Sequence, residues 1–284
     1  MPERAVRHRP RQHLARVSRT EWLTEHLIRA TLDGSELTEF APESWTDSYL
    51  KLLFGVDGVV YPEPFDIETI RRELPKEQWP RMRTYTVRAW DPMARELTVD
   101  FVYHGDKGLA GPWAAKAQPG DEIRFLGPGG GYAPDSGADW HLLAGDESAL
   151  PAIATALESL PAGALARAFI EVAGQHEEQR LTSRGDADIV WLHRGERQVG
   201  DALVAAVSAL EFLPGEPQAF VHGEAQFVKE LRRHLRIDRG LPREQLSISG
   251  YWRSGVDDEG WRAIKREWNR QVEQEQEPTT PASP

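Results

Sequence analysis

The chain is expected to fold as two domains in tandem: an N-terminal antiparallel β-barrel, then an α/β domain with a parallel sheet, followed by a C-terminal helix. Two rhythms in the sequence and one length argument lead there. From residue 16 to about residue 126, short β-rich runs are separated by Gly, Pro and Asp, the spacing of antiparallel strands joined by turns. Beyond Gly127, strand-like and helix-like segments alternate, the pattern of a parallel sheet covered on both faces. A length of 284 residues suffices for two separate cores. The expected boundaries are 1–15 for an N-terminal extension, 16–133 for the barrel, 134–250 for the α/β domain, 251–277 for a turn and helix, and 278–284 for a disordered tail.

In the first half, residues 48–54, 83–89, 96–103 and 122–126 are the strand candidates. Residues 55–80, rich in Pro and Glu, interrupt them as a long surface loop with a helical turn at 67–73. The run Gly127-Pro128-Gly129-Gly130-Gly131-Tyr132 reads as the turn that links the two domains. In the second half, 140–144 is a strand and 147–160 has helical spacing, 168–172 and 189–192 are strands, and 201–210 is a helix. Residues 218–222 form a strand ahead of a helix at 225–235. The charged segment 257–275 is a helix carrying Trp261 and Trp268, seven residues apart and so on one face.

Composition removes several chemistries. There is no cysteine, so disulfides, thiolate-held zinc, iron–sulfur clusters and a cysteine nucleophile are excluded, and any redox reaction must use a bound cofactor. The net charge of −11, from 34 Lys+Arg against 45 Asp+Glu, argues against binding to nucleic acid or to an anionic membrane. The first residues lack the apolar run of a signal peptide and no segment is apolar for long enough to span a bilayer, so a cytoplasmic protein without membrane insertion is expected. The nine histidines include no paired helical ligand motif, and no protein metal site is expected.

The chemistry concentrates at Arg83-Thr84-Tyr85-Thr86-Val87-Arg88. In a strand alternate residues share a face, so Arg83 and Tyr85 point together and Thr86 points away, able to meet the same ligand only through its backbone or a local twist. A guanidinium fork suits a diphosphate, and a phenol ring stacks on a flat heterocycle. The same residues also suit an ordinary half-exposed strand through β-propensity alone.

Further stretches add to this one. Tyr49-Leu50-Lys51-Leu52-Leu53-Phe54, Asp100-Phe101-Val102-Tyr103-His104-Gly105, Phe125-Leu126-Gly127-Pro128-Gly129-Gly130-Gly131-Tyr132, Gly145-Asp146-Glu147-Ser148-Ala149-Leu150-Pro151 and Gly250-Tyr251-Trp252-Arg253 follow in that order. With the Arg-x-Tyr-Thr strand, they resemble the siderophore-interacting protein family, flavin-containing ferric-siderophore reductases of the ferredoxin-reductase-like superfamily. The resemblance runs from about residue 16 to about residue 268.

That resemblance implies non-covalent FAD held by Arg83, Tyr85, Thr86, Asp100, Phe101, His104, Gly111, Trp113 and Ala114. It also implies NADPH or NADH near Asp146, Glu147, Ser148, Gly223 and Glu224, and a ferric siderophore met by Lys51, Arg253 and, more weakly, Lys265. The segment Gly108-Leu109-Ala110-Gly111-Pro112-Trp113 departs from the family's usual wording. Asp146, Glu147 and Ser148 equally suit a helix N-terminus, and there is no Gly-x-Gly-x-x-Gly fingerprint after a strand. Arg194 and Arg197 either meet a 2′-phosphate or are surface charges.

No residue is expected to act as acid or base, because a flavin carries the redox chemistry, accepting two electrons and releasing them singly. The chain is expected to be monomeric, with ferredoxin as an alternative donor. Two other readings stand beside this one: a general NAD(P)H:flavin or ferredoxin-type reductase with a different acceptor, and a non-catalytic siderophore-binding protein.

Overall fold

A computed structural model describes residues 11–276. The described residues divide into two compact units, with the division between Gly131 and Tyr132. Among the described residues no helix is long and apolar enough to cross a membrane.

The first unit is a closed six-stranded antiparallel barrel with the order β1-β2-β5-β4-β3-β6. Its strands are β1 (Arg11–Thr24), β2 (Leu27–Asp33), β3 (Tyr49–Phe54), β4 (Arg81–Asp91), β5 (Glu96–Val102) and β6 (Glu122–Gly129). Strand alternation builds the interior: Ile28, Ala30 and Leu32 of β2 lie directly opposite Phe101, Val99 and Leu97 of β5, and all six are fully buried. Removing a side chain the size of Phe101 from water is worth about 1.5–3 kcal/mol. Between β3 and β4 lies α1 (Ile67–Glu73), started by Asp66, whose carboxylate accepts the Thr69 N–H at 2.8 Å, a cap worth about 1 kcal/mol. Between β5 and β6 lies α2 (Ala110–Lys116). β1 begins at Arg11, within the stretch that the sequence suggests is an extension, because residues 11–16 pair with β6.

The second unit is a five-stranded parallel sheet of order β11-β10-β7-β8-β9. Its strands are β7 (Trp140–Gly145), β8 (Leu165–Val172), β9 (Asp186–His193), β10 (Pro217–Glu224) and β11 (Leu246–Trp252). Every residue of the central β7 is buried, as expected of a parallel strand covered on both sides. One face packs Leu143 and Phe220 against α3 (Leu150–Ser159). The other packs Trp140, Leu142 and Ala144 against residues of α4 (Asp201–Ser208) and α5 (Ala225–Arg233).

One difference from the sequence expectation bears on the site. The stretch Gly250-Tyr251-Trp252 is not a turn but the end of the edge strand β11, paired with β10. Its short Leu-Ser-Ile-Ser-Gly run alternates correctly for a strand but carries too few apolar residues to announce one. The helix α6 (Asp258–Gln276) meets β11 at two points, Trp261 at Gly250 and Lys265 at Ser249. Its Trp261 and Trp268 rings meet edge to face at 5.4 Å, and Gly250 leaves room for Trp261, whose ring would lie 3.2 Å from an added Cβ.

Candidate functional site

The pairing of β3 with β4 fixes which barrel residues act together. Tyr85 lies opposite Leu50 and Arg83 opposite Leu52, whereas Thr84 lies opposite Lys51 and Thr86 opposite Tyr49. Directly opposed residues share a face, so Arg83 and Tyr85 stand together, and Lys51 and Thr86 are on the other side. The Tyr85 ring lies 4.6 Å from that of Phe101, and Phe101 lies 5.6 Å from Trp113. Phe101 is fully buried and forms the base on which the partly exposed Tyr85 and Trp113 rest.

Gly111 lets α2 approach β5, since an added Cβ would come 2.9 Å from the Val102 carbonyl oxygen, and Ala114 is buried beside it. Arg83 is half-buried and donates from Nη1 to the Met82 carbonyl at 2.9 Å. Two partly exposed rings on a buried aromatic base, with a guanidinium on the same strand face as one of them, fit a flavin dinucleotide. His104 is exposed just beyond β5.

Asp100 has a different occupation. Its carboxylate takes a forked pair of bonds from Arg29, Nε to Oδ1 at 2.7 Å and Nη2 to Oδ2 at 2.8 Å. The two residues are directly opposite on β5 and β2, and the Asp100 side chain is 3% exposed. Arg29 gave no sequence signal, because its partner is 71 residues away and only the strand register joins them.

In the second unit the candidate residues gather at the carboxyl ends of the parallel strands, where open α/β sheets take their ligands. Asp146 follows β7 and is fully buried. Its Oδ1 accepts the backbone N–H and hydroxyl of Ser148, at 2.9 and 2.5 Å, and its Oδ2 accepts the Glu224 N–H and the Trp252 indole N–H, each at 2.8 Å. Burial, helped by the charge of Glu147, pushes the Asp146 carboxyl up to about 6.

Glu224 is buried and starts α5, its Oε2 accepting the Gln226 N–H at 2.5 Å, while its Oε1 accepts the Ser254 N–H at 3.1 Å. Gly223, at φ 139°, underlies Asp146, whose Cγ would be 2.7 Å from an added Cβ. Glu147 is held by Arg194 at 2.7 Å, and Arg194 also reaches the buried Glu171 at 3.5 Å. Arg197 donates to the His193 and Arg194 carbonyls. The side chains of Asp146, Glu147, Ser148, Glu224 and Arg194 are thus bonded within the protein.

Of the expected substrate cations, Lys51 is half-buried on β3 with its Nζ 5.8 Å from the Tyr49 ring. Arg253 is half-buried directly after β11. Lys265 projects from α6, with its Nζ 3.4 Å from the Ser249 hydroxyl, and burial lowers its basicity. Beside Ser249 in the sheet register stands His222, fully buried and stacked on Phe220 at 3.8 Å. Burial, with the charge of Lys265, pushes its pKa down to about 3. Sequence reasoning missed His222, which reads there as one more residue of a buried strand.

Comparison with known proteins adds to this geometry. Residues 16–132 match the siderophore-interacting FAD-binding domain and residues 138–255 match the siderophore-interacting protein domain. The chain is 47% identical over 269 residues to an uncharacterised protein of Mycobacterium tuberculosis, covering 90% of this chain and 95% of the other. It is 34% identical over 251 residues to the ferric vibriobactin reductase ViuB of Vibrio cholerae, covering 86% of this chain and 90% of ViuB. Among solved structures, a siderophore utilization protein from T. fusca superposes with a TM-score of 0.76 at 37% identity, over 88% of this chain and 96% of that one.

Proposed function

The chain belongs to the siderophore-interacting protein family, and from that premise we propose that it reduces the Fe(III) of a ferric siderophore with electrons from NADPH or NADH, by way of a bound FAD. The observation that carries the proposal is the Arg83 and Tyr85 strand face, with Tyr85 and Trp113 both resting on Phe101, inside the domain that matches the FAD-binding model. When bound, a flavin takes up the two electrons of a hydride and delivers them one at a time, which is what a nicotinamide donor and a ferric acceptor require.

The protein's own part is binding, orientation and charge. Arg83 meets the diphosphate with its fork of donors, Tyr85 and Trp113 supply the aromatic surface, and Gly111 allows the backbone of α2 to come close. The nicotinamide donor visits the carboxyl ends of β7 and β10. Its binding there is transient, because the acidic side chains at that edge are bonded within the protein. Lys51, Arg253 and Lys265 orient the anionic oxygen donors of the chelate. Iron is the substrate, and as Fe(II) it is held less tightly by hard oxygen ligands, so it leaves with the siderophore intact. The reaction belongs in the cytoplasm, where the nicotinamide donor is supplied.

Steady-state assays with an Fe(II)-trapping dye test this reading. NADPH or NADH should drive Fe(II) release from a ferric tris-catecholate only when FAD is bound. Equal release without FAD, or none with it, contradicts the proposal.

A further inference from the structure

Arg253 lies beyond the last pair of the β10–β11 ladder, at the end of an edge strand. A residue so placed has no neighbouring strand to hold it, and strand ends of this kind fray at little cost. Yet the residues on both sides of Arg253 are pinned. On one side the Trp252 indole N–H donates to Asp146 Oδ2 at 2.8 Å, and on the other the Ser254 backbone N–H donates to Glu224 Oε1 at 3.1 Å.

The two acceptors are themselves joined, because the Glu224 N–H donates to the same Asp146 oxygen at 2.8 Å. Both acids are buried, which makes these charge-assisted bonds rigid ones. The ladder also skips Tyr251 between its last two pairs, Gly223 with Gly250 and Glu224 with Trp252, an irregularity that re-aims the following side chain. The Arg253 carbonyl then accepts the Val256 N–H at 3.2 Å, opening the turn toward α6.

We propose that Asp146 and Glu224 are positioning residues for Arg253: two buried carboxylates, at the ends of β7 and β10, clamp Trp252 and Ser254 so that the guanidinium between them is pre-set for an anionic ferric chelate. This rests on the assignment of Arg253 to the siderophore. It gives the acidic edge of the sheet a role in acceptor recognition instead of direct contact with the nicotinamide. A long cation fixed in advance loses less freedom on binding than one on a fraying strand end.

The test is a double-mutant cycle between Trp252→Phe and Arg253→Ala, with KM and kcat measured for a ferric tris-catecholate and KM for NADPH. Trp252→Phe removes one pin and keeps an aromatic ring. It should raise KM for the chelate roughly fivefold, the factor set by one hydrogen bond, with kcat and KM for NADPH at wild-type values. In the Arg253→Ala background the same change should have no further effect on KM. Glu224→Gln, which weakens the other pin, should behave in the same way toward the chelate, and it stands in if the Trp252 variant does not fold.

An unchanged KM for the chelate in both pin variants overturns the clamp, as does an equal rise in KM with and without Arg253. A rise in KM for NADPH alone overturns it in favour of donor binding at this edge. If Arg253→Ala itself leaves KM for the chelate unchanged, the assignment of Arg253 to the substrate fails, and the clamp's purpose fails with it.

Discussion

Two buried aspartates, one in each unit, are held in opposite ways. Asp100 in the barrel faces a guanidinium across the strand register, with both carboxylate oxygens on Arg29. Asp146 in the α/β unit accepts four hydrogen bonds from uncharged donors in three separate segments, and burial pushes its pKa up to about 6. A sheet face supplies opposed side chains at fixed spacing, so a charge there meets a countercharge. The ends of parallel strands supply backbone N–H groups and loop side chains, so a charge there becomes a tie between segments. The barrel therefore leaves Arg83 and Tyr85 together on one strand face, while the α/β unit binds up its acids in holding its own loops.

The sharpest way to break this comparison is Asp100→Asn. Removing one partner of a mostly buried ion pair should cost about 3–5 kcal/mol of stability, measured by urea unfolding. A loss below about 1 kcal/mol would mean that Arg29 recovers its hydration and the pair is a surface pair.

The pH response of the α/β unit comes next. The folded pKa of His222 lies near 3, below its ordinary 6.5. The unfolded state then binds more protons between those values, and stability is lost as pH falls from 6.5 toward 3. Asp146 has the opposite sign. Its folded pKa near 6 exceeds its ordinary 3.8, so the folded state binds more protons in that interval, and stability from this group grows as pH falls through 6 toward 3.8. His222→Gln should therefore flatten the acid loss of stability, by an amount on the order of a few kcal/mol. Asp146→Asn should steepen that loss below pH 6. Urea midpoints collected from pH 7 to pH 4 check both slopes, and parallel curves for all three proteins would refute the assignment.

On the barrel, Arg83→Ala should weaken FAD binding roughly tenfold or more, the worth of a charge-assisted contact of about 1.5–3 kcal/mol. FAD titration followed by flavin fluorescence reads it, and an unchanged affinity removes Arg83 from the diphosphate. The smallest effect belongs to Lys51→Ala. Because Lys51 is on the opposite face of the β3–β4 pair from Arg83 and Tyr85, FAD content should be retained, with a KM for ferric chelate raised about threefold to fivefold. Loss of flavin instead would place Lys51 in the cofactor site.

The same contrast explains what could be read from the sequence. Strand alternation placed Arg83 and Tyr85 together and Thr86 apart, and the β3–β4 register agrees. The helix at residues 67–73 and the paired tryptophans of α6 followed from local periodicity, and both are present. Residues 11–15 gave no strand signal, because Arg-Gln-His begins the run and only β6 shows it to be a strand. Long-range ties were illegible for a plainer reason. Arg29 and Asp100 are 71 residues apart, and Asp146 and Trp252 are 106 apart, so neither pairing has a local pattern. The acidic loop at 146–148 reads locally as helix capping or a cofactor contact, and the ties of its carboxylates to β10, β11 and Arg194 have no local pattern to announce them.

The visible spectrum of the purified protein, reconstituted with FAD under anaerobic conditions, tests the central claim most directly. Bound flavin should show its absorption bands, lose them when NADPH or NADH is added, and regain them when a ferric tris-catecholate follows. A protein that takes up no FAD, or whose flavin stays reduced in the presence of the ferric chelate, would contradict the account.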